Sequence, residues 1–139
     1  MKIAIVEDEP VIAQRLQRLI KELLQPQTPQ INWFDDFDDA EAYLAETGID
    51  LLVLDLNLHG ANGFDLLATV NAASFFTIIV SAYADQAIKA FEYGVLDFVA
   101  KPFNRERLAQ ALARFHDQTR SGLTKQLAVK KPSGIELIA

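Results

Sequence analysis

Apolar and polar positions alternate in blocks along the chain: short apolar runs are separated by longer amphipathic stretches. Residues 2–6 (KIAIV) are a short apolar run, interrupted by Glu7-Asp8-Glu9-Pro10. Ile12, Leu16, Leu19, Ile20 and Leu23 follow at helical spacing, and Pro10 stands where a first helical turn tolerates it. Pro26 and Pro29 close that helix. Residues 31–34 (INWF) predict a second strand. The next helix carries Phe37, Ala40 and Leu44 on one face and ends near Gly48, read as its C′ residue. Residues 50–56 (DLLVLDL) are the most apolar strand despite two aspartates. Gly60 to Gly63 predict a loop, and a helix carrying Phe64, Leu67 and Val70 comes next. Residues 75–80 (FFTIIV) predict a fourth strand, 84–93 a short helix with Ala87, Ile88 and Phe91, and 95–100 (VLDFVA) a fifth strand. Asn104 is placed to N-cap a last helix whose buried stripe is Leu108, Ala111, Leu112 and Phe115.

Strands that alternate with helices and are nearly all apolar predict a parallel sheet covered on both faces. The architecture is α/β, with a doubly wound five-stranded sheet in the order 2-1-3-4-5, right-handed crossovers and five helices. In such a sheet ligands bind beyond the carboxyl ends of the strands.

Composition narrows the function. The 139 residues suit one core, and 50% apolar with 23% charged is ordinary globular usage. A net charge of −6 makes the body a poor partner for phosphate backbones. The absence of cysteine excludes disulfides, thiolate metal sites and a Cys nucleophile, and it fits a reducing compartment. No apolar run approaches the ~20 residues of a membrane span, and the first acidic run arrives too early for a secretion signal. These features read as a cytoplasmic protein.

The strand ends carry the candidate chemistry. Glu7, Asp8 and Glu9 follow the first strand, Asp55 ends the third, Ser81 follows the fourth, and Lys101-Pro102 follows the fifth. Taken singly each has a plain structural explanation: an acidic helix start, a strand-end carboxylate, a turn serine, a surface lysine. Together, at successive strand ends, they form one predicted pocket. Clustered carboxylates repel unless a cation joins them. A hard divalent cation with oxygen ligands, Mg²⁺ or Mn²⁺, meets that need. With Lys101 opposite, such a pocket suits a transferring phosphoryl group with a carboxylate nucleophile. His59, His116 and the pairs Asp35-Asp36 and Asp38-Asp39 read as solvated. Trp33 and the phenylalanines read mostly as core.

The stretches KIAIVEDEP, DLLVLDLNLHGANGFDLL and IIVSAYADQAIKAFEYGVLDFVAKPF resemble the receiver domain of bacterial two-component response regulators over residues 1–118. The resemblance implies a flavodoxin-like fold and a role for each matching position. Asp55 would accept a phosphoryl group from a sensor histidine kinase. Asp8, aided by Glu7, would hold Mg²⁺ together with Asp55 and the Asn57 backbone carbonyl. Ser81 would be the switch hydroxyl, Lys101 the phosphoryl contact and Phe98 the aromatic switch that moves inward. Asn57 and Tyr83 would tune dephosphorylation, and Lys101–Pro102 would be cis. No turnover of an external substrate is expected. The fourth helix, fifth strand and fifth helix would form a homodimer face upon phosphorylation. Glu7 stands where Asp is commoner in this family, His59 replaces a frequent proline, and Phe98 lacks the hydroxyl of a tyrosine.

Residues 119–139 change character. Arg120, Lys125, Lys130 and Lys131 against Glu136 give +3, which leaves −9 for the rest. LAVKKPSGIELI resembles the opening hairpin of a LytTR-type DNA-binding domain. Residues 119–139 are therefore read as a linker and the start of a truncated output domain, through which alone DNA would be bound. Three rivals remain. An aspartyl phosphatase of the haloacid dehalogenase type wants a second Asp where Asn57 stands. A flavin binder wants a phosphate loop where Glu7-Asp8-Glu9 stands. A phosphorylation-independent interaction module has no need of Asp8, Asp55 and Lys101.

Overall fold

The computed structural model describes residues 1–70 and 74–120, with Arg120 described by its backbone alone. The hairpin expected beyond Thr119 lies outside the described residues. The elements run β1 (Lys2–Val6), α1 (Pro10–Leu23), β2 (Gln30–Phe34), α2 (Phe37–Glu46), β3 (Leu51–Leu54), β4 (Asn57–Leu58), β5 (Ala61–Asn62), α3 (Gly63–Thr69), β6 (Phe76–Ser81), a 3₁₀ turn (Ala84–Gln86), α4 (Ala87–Glu92), β7 (Asp97–Ala100) and α5 (Arg105–Arg120).

Five parallel strands form one sheet in the order β2-β1-β3-β6-β7. The numbering departs from the expected 2-1-3-4-5 because a two-residue ribbon intervenes. In it β4 pairs antiparallel with β5, Asn57 opposite Asn62 and Leu58 opposite Ala61. A loop was expected across part of that ribbon.

Strand side chains alternate between the two faces, which explains why the sheet has two cores. Ile3, Ile5, Leu51, Val53, Ile78 and Val80 pack with Leu16, Ile20, Leu108, Leu112 and Phe115 of α1 and α5. Ala4, Val6, Leu52, Leu54, Ile79 and Phe98 pack with Ala40, Phe64, Leu67 and Ala90 of α2, α3 and α4. Full burial of one such large side chain stabilises by about 1.5–3 kcal/mol. With both faces covered, the central strands read as unbroken apolar runs.

Gly48 stands at the C′ position read for it, just past the Thr47 cap, although Thr47 is extended and Gly48 is not left-handed; among the described residues the left-handed glycines are Gly60 and Gly94. Gly94 follows α4 at φ 81°, where a side chain would be strained. Trp33 and Phe91, read with the core, need correction. Trp33 is 37% exposed because β2 is an edge strand. Ile88 and Phe91 are 78% and 49% exposed, so α4 buries Ala90 and turns much of its apolar surface outward. Among the described residues, no helix is long and apolar enough to cross a membrane.

Candidate functional site

Register brings the candidate residues together. Val6 pairs with Leu54, Leu54 with Ile79, and Ile79 with Phe98, so the four adjacent strands β1, β3, β6 and β7 end near one level. The next residues enter the same cleft. The Asp55 N–H donates to the Val6 carbonyl (2.9 Å), and the Lys101 N–H donates to the Ser81 carbonyl (2.8 Å). Ser81 is the last residue of β6 rather than the first beyond it, because ladder pairing continues to Ala100.

The Lys101 ammonium lies at the centre. Its Nζ is 3.1 Å from Asp55 Oδ2, 2.8 Å from Glu7 Oε1 and 3.7 Å from Glu9 Oε1. Oxygens of Glu7, Asp8 and Asp55 lie within 4.8 Å of one another. Glu7 is 1% exposed. Its Oε2 accepts the Glu9 N–H (3.1 Å), while the buried Oε1 has no aligned hydrogen bond. The contact of Oε1 with Lys101 is therefore an ion pair by proximity.

Charge follows from this crowding. Burial pushes the Glu7 carboxyl up to about 7, against the opposing pull of Lys101. Burial also raises Asp55, with Lys101 and the Asn57 N–H opposing. Burial alone would lower Lys101, but Glu7 and Asp55 outweigh it and hold the ammonium above its ordinary value. Three carboxylates share one ammonium here, and two of them are held back from ionising.

The rim is hydrogen bonded. The Asn57 N–H reaches Asp55 Oδ1 (3.3 Å), and its side-chain amide donates to the Tyr83 hydroxyl (3.0 Å). The Tyr83 N–H donates to the fully buried Ser81 Oγ (3.1 Å). Asp55, Asn57, Ser81 and Tyr83 thus form one chain of contacts, which spacing in the sequence did not reveal. A cleft of about 310 Å³ opens between Asp8, Asp55, Asn57, His59, Tyr83 and Lys101. Lys101–Pro102 is cis. From the neighbouring residue, the Phe103 carbonyl accepts Arg15 Nη1 (3.0 Å), and the guanidinium lies over the Phe103 ring.

Phe98 is buried at 8% exposure. Asp97 beside it, 2% exposed, was missed by the sequence reading. Arg107 grips both its oxygens at 2.9 and 2.8 Å, Arg114 approaches to 3.2 Å, and the Phe98 N–H donates to Oδ1. Burial would raise Asp97, but Arg107 and that N–H hold it below the usual carboxylate value. A lone charge in the apolar run VLDFVA was its only signal. Two more features went unread. The Trp33 indole N–H donates to the Glu7 carbonyl (2.7 Å). His59, largely solvated as expected, nevertheless turns its backbone N–H and Nδ1 toward Asp8 Oδ2.

Comparison with known proteins agrees with the fold. A family model described as the response regulator receiver domain matches residues 3–113. The sensory transduction protein LytR of Streptococcus agalactiae is 32% identical over 142 residues, covering 99% of this chain and 58% of its own. The transcriptional regulatory protein YpdB of Escherichia coli is 32% identical over 118 residues, covering 82% of this chain and 47% of its own. The chain thus spans about half the length of these relatives. Among solved structures, the response regulatory domain of mrkE from Klebsiella pneumoniae superposes with a TM-score of 0.77 at 29% identity, covering 87% of this chain and 99% of that one.

Proposed function

This chain belongs to the response regulator receiver domain family, with a flavodoxin-like α/β fold, and from that premise we propose that it is a phosphorylation-controlled switch whose acceptor is Asp55. The observation that carries the proposal is the Asp55 carboxylate, 3.1 Å from the Lys101 ammonium and within a cluster of three carboxylates.

The donor set fits a hard divalent cation: three clustered carboxylates, two of them sharing the single Lys101 ammonium. Asp8, Glu7, Asp55 and the Asn57 carbonyl would hold Mg²⁺ or Mn²⁺. When bound, the ion neutralises charge on the transferring group. Asp55 supplies the attacking oxygen, and Lys101 stays beside that oxygen to neutralise the incoming phosphoryl charge. Ser81 is hydrogen bonded to the Tyr83 backbone and can turn its hydroxyl to a phosphoryl oxygen. Phe98 would report that turn to the face formed by α4, β7 and α5. Asn57 and Tyr83, bonded to each other and lining the same cleft as Asp55, would set how readily water reaches the acyl phosphate.

A sensor histidine kinase is the proposed donor, and the cytoplasm the proposed location. The exposed Ile88 and Phe91 support a homodimer through the α4–β7–α5 face. The relatives' printed roles in sensory transduction and transcriptional regulation support a DNA-binding output of LytTR type, carried by sequence beyond the described residues. On this reading no external substrate is turned over.

Beryllofluoride with Mg²⁺ mimics the phosphorylated state. A protein-bound ¹⁹F signal in the wild type, lost in Asp55→Asn, together with a monomer-to-dimer change in sedimentation, is the expected result. A wild type with no bound signal would favour the phosphorylation-independent module instead. A bound signal on an unchanging monomer would remove the dimer.

A further inference from the structure

His59 occupies the rim of the cleft in a conformation that its backbone makes unusual. Its φ is +49°, a left-handed value that a proline, fixed near −65°, cannot adopt. Its backbone N–H points at Asp8 Oδ2 (3.4 Å), a contact a proline also could not make. The imidazole Nδ1 lies 3.9 Å from that same oxygen. Two donors bound to one ion at about 2.1 Å each sit roughly 3.0 Å apart when adjacent and about 4.2 Å apart when opposite. The observed separation from Asp8 falls inside that interval, while the imidazole stands outside the set of Glu7, Asp8 and Asp55 oxygens that lie within 4.8 Å of one another, so the ring would swing inward to join an ion held there. The His59 side chain is 68% exposed, so its ring can adjust without disturbing a core.

Two further observations concern the carboxylates it faces. Asp8 belongs to the cluster with Glu7 and Asp55. Glu7, 1% exposed, points a fully buried Oε1 into that cluster, where the Lys101 ammonium stands 2.8 Å away. Oxygen donors alone suit Mg²⁺. One added imidazole changes the ranking, because Mn²⁺, Co²⁺, Ni²⁺ and Zn²⁺ accept nitrogen ligands and Mg²⁺ does so poorly.

We propose that His59 is an additional, nitrogen ligand at the cation site, joining through Asp8, and that it turns the site toward imidazole-accepting divalent metals over Mg²⁺. The inference rests on reading the carboxylate cluster as a cation site. Mg²⁺ would be held by oxygens alone, with His59 a bystander. Co²⁺ or Ni²⁺ would take the imidazole as well.

The test uses the untagged chain, because a histidine tag would bind the same metals. Mg²⁺ and Co²⁺ are titrated separately by calorimetry, and the Co²⁺ absorption spectrum reports on nitrogen ligation. His59→Gln keeps a polar side chain and removes the imidazole. His116→Ala controls for the second of the chain's two histidines. The expected result is that His59→Gln weakens Co²⁺ by about tenfold or more and shifts its visible spectrum, while Mg²⁺ changes by less than about twofold. His116→Ala should change neither. Equal Co²⁺ affinity in wild type and His59→Gln would overturn the inference and leave the Mg²⁺ site standing. An equal loss of both metals would also overturn it, because His59 would then only shape the loop. If the wild type binds neither metal, the cation site itself falls, and the inference with it.

Discussion

Replacing Arg107 by alanine would strand a buried charge. Asp97 is 2% exposed, and Arg107 supplies two hydrogen bonds to its carboxylate and a third to the Phe98 carbonyl (2.9 Å). Removing one partner of a buried ion pair costs about 3–5 kcal/mol. Two features reduce that here. The Arg107 side chain is 33% exposed, and Arg114 remains 3.2 Å from Asp97. About 2–3 kcal/mol is the expected loss for Arg107→Ala. Asp97→Asn should cost only about 1 kcal/mol, because the amide oxygen still accepts the Phe98 N–H and Arg107 can reach water. At roughly 4 °C per kcal/mol, Arg107→Ala should lower Tm by about 8–12 °C and Asp97→Asn by about 4 °C. Acidity supplies a second check. The Asp97 carboxyl is depressed when folded, so its contribution is present above the ordinary carboxylate value and is lost as pH falls through the depressed one. The gap between wild type and Arg107→Ala should therefore close in strong acid. Calorimetric melting at neutral and acid pH measures both. Arg107→Ala milder than Asp97→Asn would refute the reasoning, since the buried carboxylate would then not depend on its partner.

Two other perturbations probe the site. Folded Glu7 keeps its proton up to about pH 7, against 4.5 for an ordinary glutamate. Folding therefore takes up a proton, and stability falls as pH rises from 4.5 to 7, by about 3 kcal/mol if no cation is present. Glu7→Gln should flatten that slope in chelator, read by urea unfolding through the single tryptophan, Trp33; an equal slope in both proteins would contradict the assignment. A Cβ on Gly63 would lie 3.0 Å from Leu56 Cα and 3.1 Å from the Asp55 carbonyl oxygen, both backbone. Gly63→Ala should cost about 1–3 kcal/mol and slow phosphorylation by displacing the Asp55 segment; an unchanged rate would show that the segment yields without moving the acceptor.

Much of the fold was legible because burial on both faces leaves a simple trace. Runs such as LLVL and FTIIV, short and alternating with amphipathic stretches, fit a covered sheet, and the stripe Leu108, Ala111, Leu112, Phe115 fits a helix laid against it. The pocket residues were legible for a topological reason: parallel strands place their carboxyl ends on one edge, so Asp8, Asp55, Ser81 and Lys101 converge from distant positions. Contacts between side chains left no such trace. The Asn57–Tyr83 bond, the Trp33 indole on Glu7 and the Asp97–Arg107 pair depend on rotamers and register. Edge exposure misled as well. Trp33 looks like core in INWF, and only the strand order makes it a rim residue. Gly48 holds the C′ position that its residue type suggests, yet Thr47 leaves α2 in extended backbone, so the glycine's left-handed freedom is not used there.

Covalent phosphorylation tests the central claim most directly. The protein is incubated with Mg²⁺ and a small acyl phosphate, and its intact mass is recorded beside that of Asp55→Asn. A gain of one phosphoryl group in the wild type alone is the expected result. No gain in the wild type, or an equal gain in Asp55→Asn, would contradict the claim that the carboxylate beside Lys101 is the acceptor.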